Sequence, residues 1–299
     1  MLILAGAWLV SLVVLAAAGR PVEEPISLLV VFGGALPGVA LLICRGMPPI
    51  RPSRAITGER ALIVGLGLFI TIFLAVKGPI LAALLGASPD PRVHEVVNTL
   101  IKLAAFVGVP LAAYSLRGKS PRRLGLTRPA SNTAPRSLVA FGIIGAFFLA
   151  IQLLFGRGAR PLLDGSLAHR HWVLGLVLCF FWMSVEAGVV EEVFFRVILQ
   201  SRLAAVTRSQ AAGVFLSALV FGLAHAPGLW LRGAGAIEGL GAAPSPLVSI
   251  AYSVTTMGLA GIVFGVLWAR TGNWPLLVAL HGLGDALPNA PAFIATWKL

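Results

Sequence analysis

The chain has 299 residues, of which 58% are hydrophobic and only 11% charged. A soluble domain carries about 25% charged residues, so this composition excludes an ordinary soluble enzyme and fits a polytopic helical membrane protein. The net charge of +12 sits in clusters between apolar runs, which assigns it to cytoplasmic loops rather than to a nucleic-acid surface.

Taken in chain order, apolar runs long enough to span a bilayer fall at residues 2–18, 26–44, 61–86, 97–116, 137–155, 172–200, 210–226, 248–269 and 274–295. They are long and continuous, without the alternating segments of an outer-membrane barrel, and a helix satisfies its own backbone in lipid where a lone strand cannot. The expected fold is an all-α polytopic transmembrane bundle of eight to nine helices. The first run lacks a basic leader and is soon followed by another, so it reads as an uncleaved first transmembrane helix rather than a signal peptide. Cys44 and Cys179 lie inside apolar runs with no CxxC pair, and read as packing residues. Lys77 and Lys102 fall near helix ends, where a long side chain reaches the headgroups.

The stretch 117–136, "RGKSPRRLGLTRPASNTAPR", is rich in Pro, Ser and Arg and makes the clearest boundary. It divides N-terminal accessory helices, 1–116, from a second helix group at 137–295, and its charges suit a solvated face beside anionic lipid. The loops holding Arg45, Arg51, Arg54 and Arg60, then Arg117 to Arg136, then Arg202 and Arg208, then Arg270, alternate with connections of mixed charge. Counting Lys and Arg places the N-terminus inside and the C-terminus outside. The segment Arg157 to His171 fits this count poorly, with three arginines on the outer side.

"GVVEEVFFRVILQSRL", residues 188–203, places Glu191, Glu192 and Arg196 within an apolar run. Each ionised group near the bilayer centre costs at least about 2.5 kcal/mol, so the three face the bundle interior, a wet cavity or one another. Glu192 and Arg196 are four apart and share a helix face, where they can pair. Glu191 is rotated about 100° from that pair and is left for chemistry. A structural salt bridge explains the pair but not the second glutamate. Glu186 falls on another face, at a cavity mouth or beside a basic residue. "VFGLAHAPG" carries His225 just ahead of a Pro-Gly pair expected to end its helix. "WPLLVALHGLGDALPN" carries His281 and Asp285 four apart, with a break expected near Pro288; Asp285 can orient the imidazole through one ring nitrogen. Each pair alone could be structural. Acid and imidazole groups recurring on three apolar runs point to one polar site within the membrane. At 1.5 Å per residue Glu191, His225 and His281 lie about 16, 22 and 10 Å from the inner surface, which suits a cavity open to the cytoplasm.

"EEVFFR" resembles the EExxxR motif of the CPBP intramembrane protease family, which includes CAAX prenyl endopeptidases and bacteriocin-processing or immunity proteins. "FGLAH" resembles its FxxxH motif, "HGLGD" its HxxxN or HxxxD motif, and "RRLGL" a short segment common in bacterial members. The motifs stand in the family's order over residues 120–290. The resemblance implies a CPBP-like catalytic core and hydrolysis of peptide bonds in membrane-associated or prenylated protein substrates. Glu191 would activate water with help from His225, His281 and Asp285 would stabilise the oxyanion or position the water, and Arg196 would hold Glu192. An alternative has Glu191 or Glu192, His225 and His281 holding Zn²⁺ with a water in the fourth position, although no HExxH is present. An ionised Asp285 would favour a metal or a histidinium, and a protonated one could donate as Asn does.

Two other classes share these residues: a proton-coupled carrier using Glu, His and Asp as a relay, and a silent immunity or scaffold member of the family. The chain shows no inverted repeat and no matched pair of broken helices, which disfavours the carrier. The implied partners are a protein or peptide substrate and membrane lipid, with no nucleic acid. Gly261 and Gly265 form a GxxxG that permits close packing within the chain.

Overall fold

The computed structural model describes residues 1–51, 54–86, 90–120, 124–126, 134–156, 160–165, 171–234 and 242–299. The connection 127–133, together with Arg122, Arg123, Arg157, Arg170 and Glu238, lies outside the described residues. Among the described residues there is no strand. The helices are α1 Leu2–Ala17, α2 Glu23–Ile43, α3 Glu59–Leu85, α4 Pro91–Ser115, α5 Ala134–Phe155, α6 Trp172–Thr207, α7 Gln210–Arg232, α8 Pro246–Thr255, α9 Met257–Thr271 and α10 Trp274–Trp297.

Among the described residues seven stretches are long and apolar enough to cross a membrane: α2 to α7, and α8 with α9 as one span. α1 is apolar but shorter, and α10 has 24 residues interrupted by His281, Asp285 and Asn289. Leu9, Val13, Leu68, Ile72, Leu154 and Phe181 are exposed, as side chains facing acyl tails are. The protein is an integral membrane protein built as an all-α bundle.

Two compact units partition the described residues: the first takes those of 1–78, 124–126 and 195–272, the second those of 79–120, 134–194 and 273–299. In the first, α7 packs on α8 and α9, α1 on α8, and α2 on α9. Leu4, Trp8, Val214, Ala218, Leu259 and Ile262 form its core. Gly261 faces Ala218, where an added Cβ would come within 3.0 Å of that Cα, so the GxxxG serves packing within the chain. In the second unit α10 packs on α5 and on the first half of α6, which also meets α4.

Three expected helix ends are not ends. The apolar run closing at 200 continues to Thr207, because Arg202 is buried against Glu59, Nη1 to Oε1 3.1 Å, rather than marking the way out to water. α7 runs through Pro227 to Arg232; its neighbouring His225 donates from Nδ1 to the Phe221 carbonyl at 2.8 Å. α10 runs through Pro288 and Pro291. Proline removes the N–H that would serve the carbonyl four residues earlier, here that of Gly284. Gln152 Nε2 on α5 donates to that carbonyl at 2.7 Å, the kind of replacement that lets proline persist in membrane helices. The run 248–269 is broken instead at Thr256, with φ −115° and ψ −75°. Thr255 and Thr256 there donate back to the carbonyls of Ala251 and Tyr252, a local bond that bends helices.

Gln152→Leu should lower the thermal stability of the detergent-solubilised protein by about 1–3 kcal/mol, the cost of an unpaired buried carbonyl. Adding Pro288→Ala restores an N–H at that carbonyl and should recover most of the loss; a double variant as unstable as Gln152→Leu would contradict this account of α10.

Candidate active site

Two stretches of α6 are wound as π-helix, Ser184–Val189 and Glu192–Gln200. π-Bulges close i→i+5 hydrogen bonds and concentrate at functional sites. The regular 100° step does not hold across them, so the angular separations expected for Glu186, Glu191 and Glu192 are not those adopted.

Glycine seams bring α10 onto this wound segment. A Cβ at Gly188 would lie 2.8 Å from the Val278 carbonyl oxygen. One at Gly282 would collide with Ser184 Oγ and lie 2.9 Å from its backbone nitrogen. Only a residue without a side chain admits backbones this close. Gly282 adjoins His281, and Gly188 lies three residues before Glu191, so the seam carries the imidazole to the carboxylates.

There His281 Nδ1 donates to Glu192 Oε1 at 2.8 Å. Its Nε2 lies 3.6 Å from Glu191 Oε2 and 3.5 Å from Asp285 Oδ2. Glu192 is fully buried, while the side chains of Glu191 and Asp285 are 17% and 40% exposed. Asp285 was expected to orient the imidazole through one ring nitrogen; it lies 3.5 Å from Nε2, while Glu192 makes the short bond on Nδ1. The partly open Glu191 and the sealed Glu192 thus sit on opposite edges of one ring.

Arg196 and His225 belong to the first unit. The guanidinium of Arg196 is fully buried, with its carbon 4.5 Å from the centroid of the Phe221 ring, within the range of a cation–π contact. Phe221 stacks edge-on against Phe195 at 5.0 Å and meets the His225 ring at 4.7 Å. The Nδ1 donation of His225 to a carbonyl leaves its Nε2 the unprotonated nitrogen of the neutral ring.

Lys102 was expected to reach for headgroups. Its Nζ lies 2.6 Å from Glu186 Oε1, with both side chains 15% exposed, and Asn98 Nδ2 approaches the same oxygen at 3.5 Å. The signal for this pair was charge balance: an acid and a base left over on two apolar runs do best together.

Of the residues named as ion ligands, Glu191, Glu192 and His281 lie in the second unit and His225 in the first. Among the described residues no group of three or more His, Cys, Asp or Glu side chains is placed to hold an ion. The contact of His281 Nδ1 with Glu192 is the kind a metal-bound histidine makes with its other ring nitrogen.

Residues 170–287 match the family model described as Rce1-like, type II CAAX prenyl endopeptidase. The matched stretch contains Glu191, Glu192, Arg196, His225, His281 and Asp285, and it bears out the resemblance to the CPBP family. No curated protein and no solved structure matches the chain.

Breaking one half of a buried ion pair costs about 3–5 kcal/mol, while replacing both halves is often neutral. Lys102→Met should therefore lower the unfolding temperature sharply, and Lys102→Met with Glu186→Met should restore it. Equal destabilisation of single and double variants would show that the pair does not organise α4 against α6.

Proposed function

We propose, from the membership of residues 170–287 in the Rce1-like family of type II CAAX prenyl endopeptidases, that this intramembrane endopeptidase cuts its substrates with water activated by Glu191. The observation that supports this most is the unequal pair of carboxylates around His281: one sealed and hydrogen-bonded, the other partly open. A base needs access to water, and a positioning group needs to be fixed.

In this reading Glu191 takes a proton from water as the oxygen attacks the scissile carbonyl carbon. The carbonyl π bond opens to an oxyanion, and collapse breaks the C–N bond while the proton passes from Glu191 to the leaving amine. His225 accepts from the water through Nε2, since its Nδ1 is taken up by the Phe221 carbonyl. His281, held by Glu192, directs Nε2 toward the reacting centre, with Asp285 beside it to position the water or the imidazole. Arg196 supplies the counter-charge on the α6 face of Glu192. The core comprises residues 137–295, the N-terminal helices are accessory, and the cavity opens to the cytoplasm with the basic loops on that side. Membrane-associated or prenylated-type peptides are the substrate class. This reading is of the glutamic type, with the metallo type as its alternative.

Purified protein in detergent should cleave a lipidated peptide library, with products identified by mass spectrometry. Glu191→Gln should reduce the rate at least about 10³-fold with an unchanged unfolding temperature, and His225→Ala by about 10²–10⁴-fold. Activity retained by Glu191→Gln would end the assignment, and uncut peptide alongside proton-coupled uptake into proteoliposomes would favour a carrier. Cleavage should persist in the presence of chelators, with no stoichiometric metal in the active protein; loss of activity on chelation, restored by Zn²⁺, would reverse the choice of reaction type.

A further inference from the structure

A second polar feature lies at the ends of α6 and α7, within the first unit. A cavity of about 490 Å³ is lined by Arg54, Ala55, Ala204, Ala205, Arg208, Ser209 and Gln210. Two of these are arginines, two carry polar uncharged side chains, and none is acidic.

The walls are built rather than incidental. Buried Arg202 donates to Glu59 at 3.1 Å and reaches the Arg54 carbonyl at 3.4 Å, and the other oxygen of Glu59 accepts from the Ile56 N–H at 2.8 Å. This fixes the backbone that carries Arg54 and neutralises the nearby acid. Gln210 Nε2 donates to the Ile50 carbonyl, and Ile50 N–H donates to the Ala269 carbonyl at 2.8 Å, so the connection between α2 and α3 is tied to α7 and α9. Arg208 has φ 55°, one of two described non-glycine residues at positive φ. Helices usually place glycine at this position, and strain kept by a charged side chain is a pointer to use. The 23-residue helix α7 begins in the same wall, capped by Ser209 Oγ, which accepts from the Ala212 N–H, and its dipole adds positive potential.

We propose that this cavity binds the phosphodiester headgroup of an anionic phospholipid. Arg54 and Arg208 grip the phosphate from two sides, and α7 presents its N-terminal end to it. The position argues for lipid over a soluble anion: Ala204 to Gln210 join two apolar spans, α6 and α7, and a join between spans meets headgroups. Exposed Arg45 and Arg51 on the same connection, with exposed Arg60 in the first turn of α3, extend the positive field along the surface. The site is independent of the catalytic reading and uses none of its residues.

The test titrates phosphatidylglycerol into the full chain in a neutral detergent and counts lipid adducts by native mass spectrometry. Arg54→Gln with Arg208→Gly should weaken binding at least about tenfold. The glycine suits the left-handed backbone, so the unfolding temperature without lipid should hold or rise. Arg232→Gln, at the far end of α7, should bind as the parent does, and neither phosphatidylcholine nor excess inorganic phosphate should compete. Undiminished binding by the double variant overturns the site, as does lipid loss accompanied by unfolding. Displacement by inorganic phosphate would reassign the cavity to a soluble anion and overturn the lipid assignment.

Discussion

A carboxylate withdrawn from water inside a helical bundle must find a donor, and everything at the candidate site follows from how Glu192 finds one. Its partner, His281, comes from a helix distant in sequence, and the 2.8 Å bond between them requires α6 and α10 to touch backbone to backbone. Gly188 and Gly282 permit that approach. The imidazole edge turned away from Glu192 then has nowhere to point except toward Glu191 and Asp285. One desolvated group thus sets a helix contact, the contact sets a ring orientation, and the orientation decides which carboxylate stays accessible.

The same logic governs the other polar residues within the spans. Gly284 loses its donor to Pro288 and gains Gln152. Gln200 donates to the Gly265 carbonyl, and Ser217 to that of Phe195. Side chains of one helix complete the backbone of another, which is the available economy where water is scarce. Polar groups here act less as anchors for solvent than as connectors between helices.

Much of this was legible in the order of residues. Apolar length located the spans, because lipid demands it, and the three motifs marked the ionisable groups within them, because such groups in apolar spans need a reason. What escaped was pairing and winding. Apolarity reports which surface meets lipid but says nothing of which carbonyl an amide side chain will serve, so Pro227, Pro288 and Arg202 read as helix ends when they were interior positions. Lys102 read as a lone base because its acid lies on another helix. The π winding of α6 has no local residue signature, and it voids any wheel drawn at a constant angle. The division of Glu191 and Glu192 into open and held was expected from the spacing to Arg196, but the short bond to Glu192 comes from His281, which spacing on one helix could not show.

That winding carries a consequence for how the gene can change. A π turn accommodates one residue more than an α turn over the same rise, so α6 tolerates surplus residues only at Ser184–Val189 and Glu192–Gln200. Removing a single codon from either stretch would let that turn tighten to α while the flanking helix keeps its facing, whereas the same deletion in an α stretch would swing every downstream side chain about 100° around the axis. Frame-preserving deletions that spare Glu192 should therefore be absorbed more readily in these two stretches than elsewhere in the same span.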